Sequence, residues 1–120
     1  MAFRTHLEQV CNQVEGAVAC SVMGFDGIAI DTHQVQNPDV DLQAMLVEYG
    51  NILTRLREAA DVLQAGGVSE VSINTDKLVT ISRLLTPEYF IVLALSPEGN
   101  YGKGRYALRV VAPRVKAELE

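Results

Sequence analysis

A chain of 120 residues is long enough to form one domain around one hydrophobic core and too short for a second core. Hydrophobic residues make up 48% of the sequence and charged residues 21%, which is ordinary for a globular protein. The longest apolar run, residues 89–95, is far shorter than the roughly 18 residues that cross a membrane. The first ten residues lack the basic and then apolar layout of a signal peptide. We therefore expect a cytoplasmic protein that does not insert into a membrane.

Charge is distributed unevenly along the sequence. Residues 1–76 carry 3 basic and 11 acidic side chains, residues 77–120 carry 7 basic and 4 acidic ones, and the net charge is −5. A nucleic-acid-binding surface needs basic side chains concentrated on one face. In a helical projection, Arg105, Arg109 and Lys116 lie on one side of the helix, whereas Lys103 and Arg114 point to other sides. A solvated helix face is the better interpretation, and no nucleic-acid partner is predicted.

The first third of the sequence predicts a helix and a β-hairpin. Residues 2–15 place a narrow apolar stripe at helical spacing and are followed by a glycine, which commonly ends a helix. Two short β-type runs, residues 17–23 and 28–32, flank an Asp-Gly turn, as in a hairpin. In the loop that follows, Asp39 or Asp41 can cap the next helix.

The predicted helix over residues 41–65 is the most informative segment. Its apolar positions cover roughly 140° of the helix surface, whereas a helix that rests on one sheet needs roughly 100°. These positions are Leu42, Met45, Leu46, Tyr49, Ile52, Leu53, Leu56, Ala59, Ala60 and Leu63. The excess predicts a second apolar partner beside the helix, and in a chain this short we expect that partner to be another chain. Gly50 inside the helix costs about 1 kcal/mol relative to alanine, which indicates a close neighbour there, such as a second helix backbone.

Three strands and a last helix complete the pattern. Residues 70–74 alternate polar and apolar side chains, as an exposed or edge strand does. Residues 78–84 form a further strand, and residues 89–95 are apolar on both faces and therefore central. The last helix, over residues 101–119, carries one narrow apolar stripe and a predicted kink at Pro113. The predicted order is α-β-β-α-β-β-β-α.

No combination of residues predicts catalysis or a bound metal. His6 and His33 have no cysteine or carboxylate at metal-ligand spacing, so structural or surface roles are favoured. The glycine-rich segment 99–105 fails both the GxxxxGK[ST] and the GxGxxG spacings of phosphate loops. Cys11 and Cys20 are too few and too loosely spaced for a disulfide framework and are interpreted as small core residues. We predict a protein that is not an enzyme and that holds no cofactor.

With these elements, the sequence resembles the Roadblock/LC7 family over nearly its whole length. The resemblance rests on the first helix, on the hairpin Val-Met-Gly-Phe-Asp-Gly-Ile-Ala-Ile (residues 22–30), on the long second helix, on the strands over 70–95 and on the last helix, which begins near Gly-Asn-Tyr-Gly (residues 99–102). Pro113 departs from the family pattern. The chain is more similar to the prokaryotic, single-domain, MglB-like members than to motor light chains.

The resemblance implies one Roadblock/LC7 domain over residues 1–120 with an α+β fold. That fold is a three-layer, profilin-like α/β sandwich around a five-stranded antiparallel sheet, with the second helix on one face and the other two helices on the opposite face. In the family, the edge strand after the second helix pairs with its copy in a second subunit, and the two second helices pack beside each other. The resemblance therefore implies a homodimer, and a heterodimer with a related Roadblock chain stays open.

Family members bind or regulate Ras-like small GTPases or serve as light chains of motor and scaffold complexes. The resemblance implies a non-enzymatic adaptor that binds an MglA-like small GTPase through its paired second helices. The residues assigned to the dimer or partner interface are Met45, Glu48, Tyr49, Ile52, Arg55 and Leu56 on the helix and Glu70, Val71, Ser72, Ile73 and Asn74 on the edge strand.

Within this set, the apolar side chains are predicted anchors and the charged ones rim contacts. The anchors are Met45, Tyr49, Ile52 and Leu56. Core packing against the sheet is a strong alternative for all four, and an equal one for Met45 and Tyr49. Arg57 and Glu58 join Glu48 and Arg55 on the rim. Either arginine could reach a nucleotide as a finger, although a solvated helix face is the favoured interpretation for both.

Two functions of other classes remain open. A small-ligand sensor is one, because PAS, GAF and profilin-like folds share this sandwich shape and can form a pocket between sheet and helix; few aromatic or convergent polar residues support it. A purely structural light-chain subunit of a larger complex is the other, and it differs from the adaptor only in its indifference to nucleotide state.

Overall fold

The computed structural model describes residues 3–120, so the predicted start of the first helix at residue 2 lies outside the described residues. Within that range the elements follow the predicted order. They are α1 (Phe3–Gln13), β1 (Ala17–Gly24), β2 (Ala29–Gln34), α2 (Leu42–Val62), β3 (Glu70–Asn74), β4 (Val79–Leu84), β5 (Tyr89–Leu95) and α3 (Tyr101–Leu119). The predicted α+β sandwich is confirmed.

The five strands form one antiparallel sheet in the order β2-β1-β5-β4-β3. β5 lies at the centre, with Leu93 opposite both Cys20 of β1 and Ile81 of β4. β3 pairs only with β4, where Ser72 lies opposite Ile81. The predictions of a central strand over 89–95 and an edge strand over 70–74 are therefore confirmed.

The helices cover the two faces of the sheet and divide the core into two clusters. α1 and α3 pack against one face, through buried residues that include Leu7, Val10, Leu108 and Val115. α2 packs against the other face. Alternate side chains of β5 enter the two clusters, which explains why this strand is apolar on both faces: Ile91, Leu93 and Leu95 enter the first, and Phe90, Val92 and Ala94 enter the second.

Local signals set the helix ends. The Asp41 carboxylate accepts a hydrogen bond from the Ala44 amide at 3.1 Å, so Asp41 rather than Asp39 is the N-cap of α2. The helix ends three residues earlier than predicted, because Gln64 adopts the left-handed conformation with φ 55° ahead of Gly66. At the other end of the chain, α3 continues through the exposed Pro113 to Leu119.

Gly16 marks a close approach between two segments, and Gly50 shows which side of α2 meets the sheet. Gly16 has φ +86°, and a Cβ there would lie 2.5 Å from the Cα of Gly99, where the end of α1 meets the loop before α3. Gly50 is buried in α2, and a Cβ there would lie 3.5 Å from the ring of Phe90. The hypothesis of a second helix backbone next to Gly50 is wrong, because this side of α2 faces the sheet.

Candidate interaction surface

The apolar positions of α2 fall into two stripes. The sheet-facing stripe consists of Leu42, Leu46, Tyr49, Gly50 and Leu53, all buried. The second stripe, here called the α2 flank stripe, consists of Met45, Ile52, Leu56, Ala59 and Leu63, and at 100° per residue it is rotated by roughly 90° from the first. Ile52 is 39% exposed, Leu56 38% and Leu63 75%, so the flank stripe has no full cover in the single chain.

The opposite flank of α2 is occupied by the loops at one end of the sheet. The side chain of Val47 lies 3.9 Å from where a Cβ of Gly27 would be. The Arg57 guanidinium lies 3.8 Å above the ring of Phe25 and donates a hydrogen bond to the Pro87 carbonyl at 3.0 Å. These contacts belong to the β1–β2 and β4–β5 turns. The α2 flank stripe therefore lies on the side of the helix that points away from these two turns.

The structure separates the four predicted anchors. Ile52 and Leu56 are exposed on the flank stripe, and Met45 is half-buried against the core cluster under α2. Tyr49, 9% exposed, already belongs to the sheet-facing stripe. Of these four residues, Ile52 and Leu56 thus offer the most apolar surface to a partner. The interface assignment of all four stays a prediction.

The structure also separates the two candidate arginines. The Arg57 guanidinium is held between the Phe25 ring and the Pro87 carbonyl, as described above. Arg55 is exposed, as are Glu48 and Glu58, and no hydrogen bond or ion pair of Arg55 occurs within residues 3–120. Of the two arginines, Arg55 is therefore the one available to a partner. Sequence reasoning could not make this distinction, because Phe25 and Pro87 lie about thirty residues away on either side.

The edge strand β3 presents its two faces to different helices. Val71 packs against the cluster under α2, and Ile73 shares that face by alternation. The remaining three side chains, Glu70, Ser72 and Asn74, alternate onto the α3 face. Because β3 pairs only with β4, the backbone groups along its outer edge have no partner strand in the described chain.

The polar side chains of β3 are tied to α3 and β4. The Glu70 carboxylate accepts hydrogen bonds from Arg83 Nη1 at 3.0 Å and from Arg105 Nε at 2.6 Å. The Tyr101 hydroxyl donates to Ser72 Oγ at 2.8 Å. Sequence reasoning missed these contacts, although the hairpin register that places Glu70 opposite Arg83 could have indicated the first one. They hold β3 in place with its outer edge free.

Features that would hold a small molecule or metal are weak in the part of the chain that the structure describes. No three His, Cys, Asp or Glu side chains come together as a metal site within residues 3–120. A cleft of about 540 Å³ lies at the surface beyond the end of α2, between Arg57, Gly66 and Leu85. Burial raises the pKa of the Cys11 thiol to about 11 and also raises the pKa of Cys20, which keeps both thiols neutral.

No helix in the described part of the chain combines the length and the hydrophobicity needed to span a membrane.

Neither a protein-family model nor a curated protein matches the sequence. Among solved structures, a Roadblock/LC7 domain from Streptomyces avermitilis superposes with a TM-score of 0.82 at 15% identity, over 96% of this chain and 95% of that one. MglC from Myxococcus xanthus is 61% identical, over 98% of this chain and 99% of that one, with a TM-score of 0.71. The chain belongs to the Roadblock/LC7 family.

Sequence similarity and fold similarity point to different members of this family. MglB, also from Myxococcus xanthus, superposes on this Roadblock/LC7 chain with a TM-score of 0.82 at only 9% identity, over 99% of this chain and 98% of that one. The predicted membership among MglB-like proteins is confirmed, and the high sequence identity is to MglC. Membership in this family supports a regulatory role that is exerted through contacts between proteins.

Proposed function

We propose that this Roadblock/LC7 chain is a non-enzymatic homodimeric adaptor that binds a Ras-like small GTPase. The α2 flank stripe is the observation that carries the proposal. A helix that serves only its own domain has no need of apolar side chains such as Ile52 and Leu56 at a right angle to its sheet-facing stripe. Their exposure calls for a protein partner that covers them.

A second copy of the chain is the partner that fits both exposed features. Pairing two β3 strands along a two-fold axis would satisfy their outer backbone groups and join two sheets into one. In the arrangement that the family resemblance implies, the two second helices pack beside each other, so the same axis would bring the two α2 flank stripes together. One symmetric arrangement therefore covers an apolar stripe and an edge strand that would otherwise invite aggregation.

The outward side of the paired α2 helices is proposed as the GTPase-binding surface. It presents Glu48, Arg55 and Glu58, together with Val62, which is 82% exposed. An apolar centre with a charged rim is the usual composition of a protein–protein interface. The adaptor would act by contact with the GTPase switch loops, and Arg55 rather than Arg57 would be the arginine that can approach the nucleotide, because Arg57 is already bound within the domain.

The experiment is capture from the native lysate with the tagged chain as bait. Parallel captures contain GDP or a non-hydrolysable GTP analogue, and bound proteins are identified by mass spectrometry. Arg55→Glu on the outward side of α2 is the test variant, and Arg114→Glu on exposed α3 is the control with the same charge change. Arg55 lies outside the flank stripe, so Arg55→Glu should leave the proposed dimer intact. Sedimentation velocity of each bait checks this by measuring its oligomeric state.

A small GTPase captured in one nucleotide state by the wild-type and Arg114→Glu chains, and lost with Arg55→Glu, is the expected result. A GTPase captured equally in both states would indicate tethering. Capture of only a related Roadblock chain or a larger non-GTPase complex would contradict GTPase binding and favour the structural subunit. The ligand-sensor alternative gains nothing from the clefts described above, which lie open at the surface.

A further inference from the structure

Helix α3 carries a row of basic side chains on the flank that faces the β3 edge. Arg105, Arg109 and Lys116 lie within an arc of roughly 40° on the helix, on the side from which Tyr101 reaches Ser72. A cleft of about 350 Å³ between α3 and β4 is lined by Arg109 and Lys116 and by a fourth cation, Arg83 of β4. We call these four cations the α3 basic row.

The basic row is positive on an otherwise acidic protein. Glu70 is the one carboxylate within residues 3–120 that forms a salt bridge with the row, through Arg83 and Arg105. Arg109 and Lys116 form no salt bridge in that range. At the end of the row, Lys116 also lines a second cleft together with Glu88 and Glu120. The chain as a whole has a net charge of −5, so the basic row is a local positive region on an acidic protein. This region favours an anionic partner.

The proposed homodimer would turn two basic rows into the walls of one trough. Helix α3 packs over β4 and β5, and its Arg105 and Tyr101 side chains reach across the strip of sheet above β3. With strands about 4.8 Å apart, two α3 helices across a β3–β3 junction would lie about 20 Å apart, compared with about 8–10 Å for helices in direct contact. The gap would admit one extended chain or one helix, which is about 10 Å wide.

We infer that this trough, on the face opposite the α2 pair, binds an acidic peptide segment of a partner protein. The inference rests on the proposed homodimer. The basic rows supply charge complementarity for carboxylates, and the exposed Pro113 of the same cleft supplies an apolar contact for the side chains between them. A flat anionic membrane cannot enter a trough between two helices, and the net charge of −5 would repel it.

The test uses a fluorescein-labelled peptide that repeats the triplet Glu-Glu-Leu, with a Gln-Gln-Leu repeat as the neutral control, and measures binding to the full chain by fluorescence anisotropy. The test variant is the double substitution Arg109→Glu/Lys116→Glu. The matched control, Lys103→Glu/Arg114→Glu, changes the net charge by the same amount on other sides of the same helix, and all four side chains are exposed. Sedimentation velocity on the same samples reports whether each variant remains a dimer.

We expect the wild-type dimer to bind the acidic peptide and not the neutral one, with an affinity that falls as salt rises. The Arg109→Glu/Lys116→Glu variant should bind at least about tenfold more weakly, and the matched control should change by less than about twofold. A dimer that fails to bind the acidic peptide, equal weakening in both variants, or binding of phosphatidylserine vesicles but not of the peptide would overturn the inference. A wild-type chain that sediments as a monomer would instead overturn the proposed homodimer, and the trough with it.

Discussion

The substitution Ile52→Glu is the sharpest perturbation of the α2 flank stripe. Ile52 lies near the middle of α2, has 39% of its surface exposed, and points away from the sheet-facing stripe. A glutamate there remains solvated in the single chain, so the domain itself should fold. In the proposed dimer, the carboxylate would face apolar side chains of the second copy, and dimerisation should weaken.

The magnitude follows from the exposed fraction of Ile52. Full burial of an isoleucine side chain stabilises by about 1.5–3 kcal/mol, so covering 39% of it contributes about 1 kcal/mol per copy. Loss from both copies costs about 2 kcal/mol, and partial desolvation of two carboxylates adds at least as much. A total of about 4 kcal/mol corresponds to a roughly 10³-fold weaker dimer for Ile52→Glu. Ile52→Ala loses only the burial contribution of about 2 kcal/mol, so its dimer should be roughly 30-fold weaker.

Sedimentation velocity over a concentration series measures these dimer dissociation constants. Val47→Glu is the matched control, because Val47 is an apolar α2 residue of nearly equal exposure, 38%, on the opposite flank. Thermal unfolding of each variant shows whether the domain is intact. If Ile52→Glu retains the wild-type dissociation constant, or if Val47→Glu disrupts the dimer equally, the flank stripe does not form the interface.

Three further predictions concern the single domain. Gly16→Ala should lower the free energy of unfolding in urea by at least about 2 kcal/mol, because φ is +86° and a Cβ would clash with backbone, whereas Gly67→Ala, with nothing within 4 Å, should stay within about 0.5 kcal/mol of wild type. Glu70→Gln should lower the free energy of unfolding by about 1–2 kcal/mol, because Arg83 and Arg105, which are partly exposed, lose their carboxylate partner. If Glu70→Gln causes the same loss in a chain from which both arginines have been removed, this explanation is wrong. Cys11 and Cys20 should resist Ellman's reagent at neutral pH until the chain unfolds. Because burial raises the native pKa of Cys11 from 9.0 to about 11, stability should fall as the pH rises through that window; fast labelling of the native chain would refute the assignment.

The sequence was sufficient to predict features that depend on periodicity. Helical spacing shows the over-wide apolar surface of α2, and the alternation over 70–74 shows an edge strand, because both patterns are set by which faces of an element are buried. The order of elements then followed from the turns between them. The Roadblock/LC7 resemblance added the single five-stranded antiparallel sheet and the placement of the helices on its two faces, which periodicity alone does not determine.

Features that depend on contacts between distant segments could not be predicted. The Phe25 ring and the Pro87 carbonyl hold Arg57 but leave Arg55 exposed, and no local pattern distinguishes two arginines that are two residues apart. The neighbour of Gly50 is the Phe90 ring, forty residues away in the chain. The salt bridge between Glu70 and Arg105 likewise depends on how α3 lies over the sheet.

Cysteine scanning along β3 tests the homodimer most directly. In an antiparallel β3–β3 pair, residues near the two-fold axis lie opposite their own copies, close enough for a disulfide. Val71→Cys, Ser72→Cys and Ile73→Cys place single thiols along this edge, Gln34→Cys on the other edge strand is the control, and the native cysteines are buried. Mild oxidation should yield a covalent dimer from at least one β3 variant and none from Gln34→Cys. No covalent dimer from any β3 variant, or equal dimer from Gln34→Cys, would contradict pairing through β3.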